Sequence, residues 1–334
     1  TDMRNILIVL VCFAAISVSI CVYGRTSPQD DSWRQDSTVN VIGWFNKHDT
    51  LVYWINESNW QLSPTDTVKT SGVSTKVRLT VVDSTANGYK MDYTFLEFRG
   101  DSVGDSGIGN FQNRLVDKLG RRIIGTTINF ETDELGAITK FNNLGKIKRQ
   151  AKSLFKEAMK ELMGTPEIAG LKDFGLDLSE LVKDVDSDEL VDGYLEELKL
   201  LFLCHGLTYG IGEFHSHVDA NETVYENDTY TTVRFDPSDD TYSITTDVIN
   251  IIPRDVLKDM VGGIVESMNS DSITQSFRQE FDSQVREEGV YESYFSSDYL
   301  AHGWPYRVVK QSTTTIDGRG KSKQTYIYLD YINY

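Results

Sequence analysis

The densest group of chemically capable side chains runs from Glu213 to Asp219, Glu-Phe-His-Ser-His-Val-Asp. On a β-strand, alternate side chains share a face. Glu213, His215, His217 and Asp219 would then line up. Imidazole and carboxylate are the ligand types of zinc-like ions, so Glu213, His215 and His217 are candidate metal ligands. Three of the 5 histidines (His205, His215 and His217) fall in this region. The competing reading is the solvated polar side of a half-buried antiparallel strand, with Phe214 and Val218 turned inward.

Other chemistry is thinner. Gly100-Asp101-Ser102 and Gly104-Asp105-Ser106 resemble the nucleophile block of one lipase and esterase family. That family needs a buried apolar strand before the block and an Asp-x-x-His near the C-terminus. Asp298 to His302 has the wrong spacing for it. A flexible acidic loop is the plainer expectation for Gly100 to Asn110. Asp184-Val185-Asp186-Ser187-Asp188 starts like a calcium loop. It then places Glu189 where the turn demands Gly, and Leu195 where a bidentate Glu is needed. No Walker sequence, dinucleotide fingerprint or thiol-redox pair occurs, so no catalytic residue and no cofactor is assigned. Trp304-Pro305 and Tyr326, Tyr328, Tyr331 and Tyr334 could form an aromatic binding surface. Strand packing would also explain them.

The elements that hold these residues begin after an export signal. Arg4 is followed by an almost wholly apolar run from Ile6 to Val22, with Val22-Tyr23-Gly24 as a cleavage triplet. Residues 1–24 therefore read as a signal peptide. Met3 is the expected start. Cys21 is a candidate for lipidation, although Ile20 before it is bulky where bacterial lipoproteins want a small residue. Cys12 and Cys21 lie in the leader. Cys204 alone remains, so no internal disulfide is expected. A formal net charge of -17 disfavours nucleic acid and anionic headgroups. No later stretch is apolar enough to span a membrane as a helix.

A polar lead-in over 25–40 precedes one large α+β domain over 41–334. Strands are expected at Thr50 to Glu57, Thr75 to Asp83, Tyr89 to Arg99, Ile123 to Thr132 and Ala137 to Phe141. Asn87-Gly88 gives a strong hairpin signal. Ile147, Ala151, Leu154, Phe155, Ala158, Met159 and Leu162 fall at helical spacing, with a lysine-rich opposite face. A second, acidic helix follows from about Ser187 to Leu203, and the opposite charges could make the two helices neighbours. Strands return at Thr208 to Val218, Tyr230 to Phe235 and Thr241 to Ile251. Helices are expected after Pro253 and from Ser272 to Arg286. A hairpin of Tyr306 to Ile316 and Lys321 to Tyr334 closes the chain. Tight turns imply antiparallel pairing. The fold class is α+β: a curved, mainly antiparallel sheet with amphipathic helices packed against it. Segments 41–165 and 205–334 loosely echo each other across the helical segment.

The hairpin Ile124-Gly125-Thr126-Thr127-Ile128-Asn129-Phe130, Asp133 to Gly136 and Ala137-Ile138 resembles one found in uncharacterised exported proteins of Gram-negative bacteria, a domain of unknown function. The element order is similar to that of periplasmic lipoprotein carriers. That resemblance implies an apolar cavity. The expectation is an exported, non-enzymatic protein of the bacterial envelope, in the periplasm or at the cell surface. It would bind a small or lipophilic molecule or an envelope protein partner. The alternative is a metal-dependent or esterase-type hydrolase.

Overall fold

A computed structural model describes residues 37–102, 108–163, 187–220, 225–258, 285–286 and 288–334. The expected export leader with Cys21, the run Asp184 to Asp186 and the helix expected from Ser272 (up to residue 284) lie outside the described residues.

The chain runs β1 (Thr38–Asn40), β2 (Thr50–Ser63), β3 (Asp66–Thr85), β4 (Gly88–Ser102), α1 (Ile108–Ile123), β5 (Thr127–Thr132), β6 (Ile138–Phe141), α2 (Leu144–Met163) and α3 (Ser187–Leu201). It continues β7 (Thr208–Gly210), β8 (Gly212–Val218), β9 (Glu226–Asp236), β10 (Thr241–Ile252), β11 (Gly289–Tyr299), β12 (Pro305–Ile316) and β13 (Arg319–Asn333). Eleven strands form one antiparallel, curved and unclosed sheet in the order β6-β5-β4-β3-β2-β13-β12-β11-β10-β9-β8. β1 and β7 make a separate small ladder. The expected α+β class holds. The strands of 41–165 and 205–334 meet where β2 pairs with β13.

Alternation along each strand decides which face is dry. Leu51, Tyr53 and Ile55 on β2, Val77, Leu79 and Val81 on β3, and Met91, Tyr93 and Phe95 on β4 are all buried. Val191, Leu195, Leu198 and Leu201 of α3, with Ile147 and Ala151 of α2, pack on this face. A second cluster joins Val39, Val41 and Cys204 to Val233, Tyr242, Ile244 and Tyr299. Burying one side chain of this size contributes roughly 1.5–3 kcal/mol, so the apolar helix stripes suffice to seat α2 and α3.

Several expectations change. Gly100 to Ser102 is the end of β4, paired with Ser71 to Val73, and not a loop. The segment before Ile123 is the helix α1, and the strand expected from Ile123 starts only at Thr127. α1 comes close to the sheet because Gly120 lies against the Phe98 ring, where a Cβ would sit 2.2 Å from it. Residues 289–299 add β11, a strand absent from the sequence reading. Thr208 to Val218 breaks into β7 and β8. The lysine-rich helix α2 does lie beside α3. Its Glu161, however, pairs with Lys118 and Arg122 of α1, while Glu196 of α3 pairs with the sheet through Lys310. The closing hairpin turns on Asp317-Gly318, both at positive φ (50° and 68°), a conformation glycine adopts freely.

Candidate functional site

The Glu213 to Asp219 segment is the edge strand β8 and the start of the loop after it. Its register on β9 sets Glu213 opposite Thr232, His215 opposite Tyr230 and His217 opposite Asp228. The structure therefore separates Glu213 from the group and replaces it with two acids from β9. The ligand atoms of His217, Glu226 and Asp228 all lie within 4.8 Å of one another. His215 Nε2 donates to Asp228 Oδ1 at 2.7 Å, and its ring stacks on Tyr230 at 4.5 Å. His217 donates from Nδ1 to Asp228 at 3.0 Å and from Nε2 to Asp219 at 3.2 Å. Those two acceptors favour the doubly protonated ring, so the pKa of His217 lies above its ordinary value. Asp228 is held below the usual carboxylate range by His215 and His217. Phe214 and Val218 do turn to the opposite face, but both remain exposed, because the core ends before this edge.

His205 does not join this group. It is buried beyond the end of α3, and its Nε2 donates to the Gly303 carbonyl at 2.9 Å. Burial pulls its pKa down to about 4, so it is neutral. Trp304 is likewise no surface residue. It is fully buried and stacks on Phe45 at 3.7 Å.

The face opposite the packed helices carries a different pattern. Directly paired residues point the same way, so one row reads His215, Tyr230, Asp247, Tyr294, Gln311, Gln324 and Ser58. Two and four residues beyond Gln324, Tyr326 and Tyr328 share that face, their rings 5.6 Å apart. Trp54 pairs with Tyr328 and receives the cations of Lys76 at 5.1 Å and Arg99 at 4.7 Å over its ring. Tyr230, Tyr294 and Tyr326 are exposed. Arg307 pairs with Asp298 on the same face.

On the helix-packed face, the dry rows end at Ile55 and Ile327, and charge takes over. Lys323 of β13 meets Glu57 of β2 at 3.0 Å and Glu196 of α3 at 3.7 Å. Lys310 of β12 meets Glu196 at 2.9 Å. Burial opposes the charge on Lys323, yet Glu57 and Glu196 outweigh it and hold its pKa above the ordinary value. Burial also works against the Glu196 carboxylate, but Lys323 and Lys310 prevail and its pKa is lowered. At Glu197 the pull of Lys323 is outweighed. Burial, followed by the charge of Glu57, pushes it up to about 8. The Tyr93 hydroxyl, buried beneath, has no hydrogen-bond partner among the described residues.

No family model matches the chain, and no curated protein matches it. Among solved structures, distant likenesses include the following two. One is to lipovitellin, in a structure of its lipid–protein interactions, at 9% identity and a TM-score of 0.42. It covers 86% of this chain, which spans 26% of the lipovitellin chain. The other is to an outer membrane channel from Pseudomonas putida F1, at 6% identity and a TM-score of 0.16, covering 86% of this chain and 97% of that one. At these identities and scores, neither likeness assigns a role to this chain.

Sequence reasoning found the histidines of the edge cluster and missed the acids that complete it. Glu226 and Asp228 become visible only when β8 and β9 are paired as a hairpin and the register is counted. It missed the Glu57, Glu196, Glu197, Lys310 and Lys323 group altogether, because five residues on four elements meet there. Among the described residues, no helix is long and apolar enough to cross a membrane.

Proposed function

We propose that the chain is an exported, non-enzymatic protein of the bacterial envelope that binds a lipophilic small molecule on the sheet face opposite its packed helices. The supporting observation is the alignment of Tyr230, Tyr294, Tyr326, Tyr328 and Trp54 on that face, with Gln311, Gln324 and Ser58 among them. Tyrosine and tryptophan present an apolar body and a polar tip. The amides and hydroxyl of Gln311, Gln324 and Ser58 can hydrogen-bond a headgroup without demanding charge, while Asp247 stands between Tyr230 and Tyr294. The formal charge of -17 argues against an anionic headgroup, so a neutral amphiphile is the expected class. The apolar leader at residues 6–22 supports export.

The reading is tested by titrating purified protein with a neutral monoacylglycerol below its micellar concentration, following tryptophan emission. Saturable binding is expected. The double substitution Tyr294→Ser and Tyr326→Ser should weaken it about tenfold, the equivalent of roughly 1.4 kcal/mol. Equal binding by wild type and variant, or none by wild type, would overturn the assignment.

A further inference from the structure

We propose that His217, Glu226 and Asp228 form a surface site for a divalent transition-metal ion of zinc's class. The geometry comes from two backbone facts. Antiparallel pairing sets His217 directly opposite Asp228, and the two-residue strand period sets Glu226 beside Asp228 on the same face. Their ligand atoms already lie within 4.8 Å of one another. Zinc ligands sit about 2.0–2.2 Å from the ion. Ligand atoms at two corners of a tetrahedral ion are then separated by about 3.3–3.6 Å. The three side chains must draw together from this spacing to close on a single ion.

The ligand types select the class. One imidazole with two carboxylates suits zinc and its borderline neighbours better than calcium or magnesium, which take oxygen shells. His215 acts as a positioning residue. Stacked on Tyr230, it donates to Asp228 and steers that carboxylate, as second-layer hydrogen bonds do around metal sites. His217 is already surrounded by anionic oxygens, from Asp228 on one nitrogen and Asp219 on the other. An ion binding there displaces a ring proton of His217 and takes its place between imidazole and carboxylate, and the acidic chain as a whole concentrates cations near its surface. Glu213, opposite Thr232, stands outside the site.

The test is zinc titration of the chelator-stripped full chain by calorimetry. One saturable site per chain is expected. His217→Ala and Glu226→Gln should each weaken binding at least about tenfold, and His215→Ala about as much through Asp228. Glu213→Gln should leave it unchanged. X-ray absorption of the zinc-loaded protein should show imidazole nitrogen with oxygen neighbours. Glu226 is exposed on the strand, so its substitution tests the site even where His217→Ala fails to fold. The absence of a saturable site, undiminished binding in Glu226→Gln, or a sulfur shell from Cys204 would each overturn the proposal.

Discussion

At the scale of single residues, Glu197 sits in an environment that works against its charge. Its neighbour Glu196 has two lysines, whereas Glu197 has burial and the charge of Glu57 against it. A carboxyl with an ordinary value of 4.5 and a folded value of about 8 takes up a proton on folding. Between those values the native state binds more protons than the unfolded chain. Stability from this group is thus complete below about pH 4.5 and is lost as pH rises through 8. The loss is at most about 1.4 kcal/mol per pH unit over that window. Buried His205, lowered to about 4, works the other way up to its ordinary value of 6.5, so thermal unfolding followed from pH 6.5 to pH 8 should show a falling melting temperature, and Glu197→Gln should flatten that fall. An unchanged slope in the variant would place the titration on another group. Glu196 and Lys323 do not mimic the effect. The lowered pKa of Glu196 matters on the acid side, and the raised pKa of Lys323 matters only in strong alkali.

At the scale of elements, the turn between β11 and β12 binds distant parts together. Gly303 has a φ of 79°, and a Cβ there would meet the Ile42 carbonyl oxygen at 2.1 Å. Its own carbonyl accepts from buried His205, and Trp304 beside it stacks on Phe45. Gly303→Ala should therefore cost about 2–3 kcal/mol, read as a lowered denaturation midpoint with an unchanged slope. A neutral outcome would mean that the turn moves at little cost.

Elements are also where the sequence was most and least readable. The alternation in 75–83 and 89–99 and the helical period in 147–162 each carried a clear signal, because one face is buried and the other wet. α1 escaped because its tight contact is made by a glycine, which looks like a loop residue when read alone. β11 escaped because its buried residues include Ser296, Ser297 and Asp298, which break the apolar alternation. The edge cluster was half legible for a related reason. Residue types mark a strand, and only the register marks its partner.

At the scale of the molecule, the placement of β13 has a consequence for folding. β13 is the last strand in the chain, yet it sits mid-sheet between β2 and β12. Ile327 pairs with Ile55 on one side and Val308 on the other. The sheet's interior thus closes only when residues more than half the chain apart have met. Long-range pairing of this kind makes folding slow relative to local hairpins. It also makes the two groups of strands depend on one another. Without β13, β2 and β12 would both become open edges beside buried apolar rows, and Glu57 and Glu196 would lose Lys323. A chain ending at Ile316 should therefore show no cooperative thermal transition, whereas the whole chain should unfold in one. The decisive measurement is circular dichroism melting of both, with calorimetry to compare the measured and van't Hoff enthalpies. A truncated chain that still melted cooperatively would mean that the first group of strands, closed by α1, α2 and α3, is stable alone. β13 would then be an addition to a finished core.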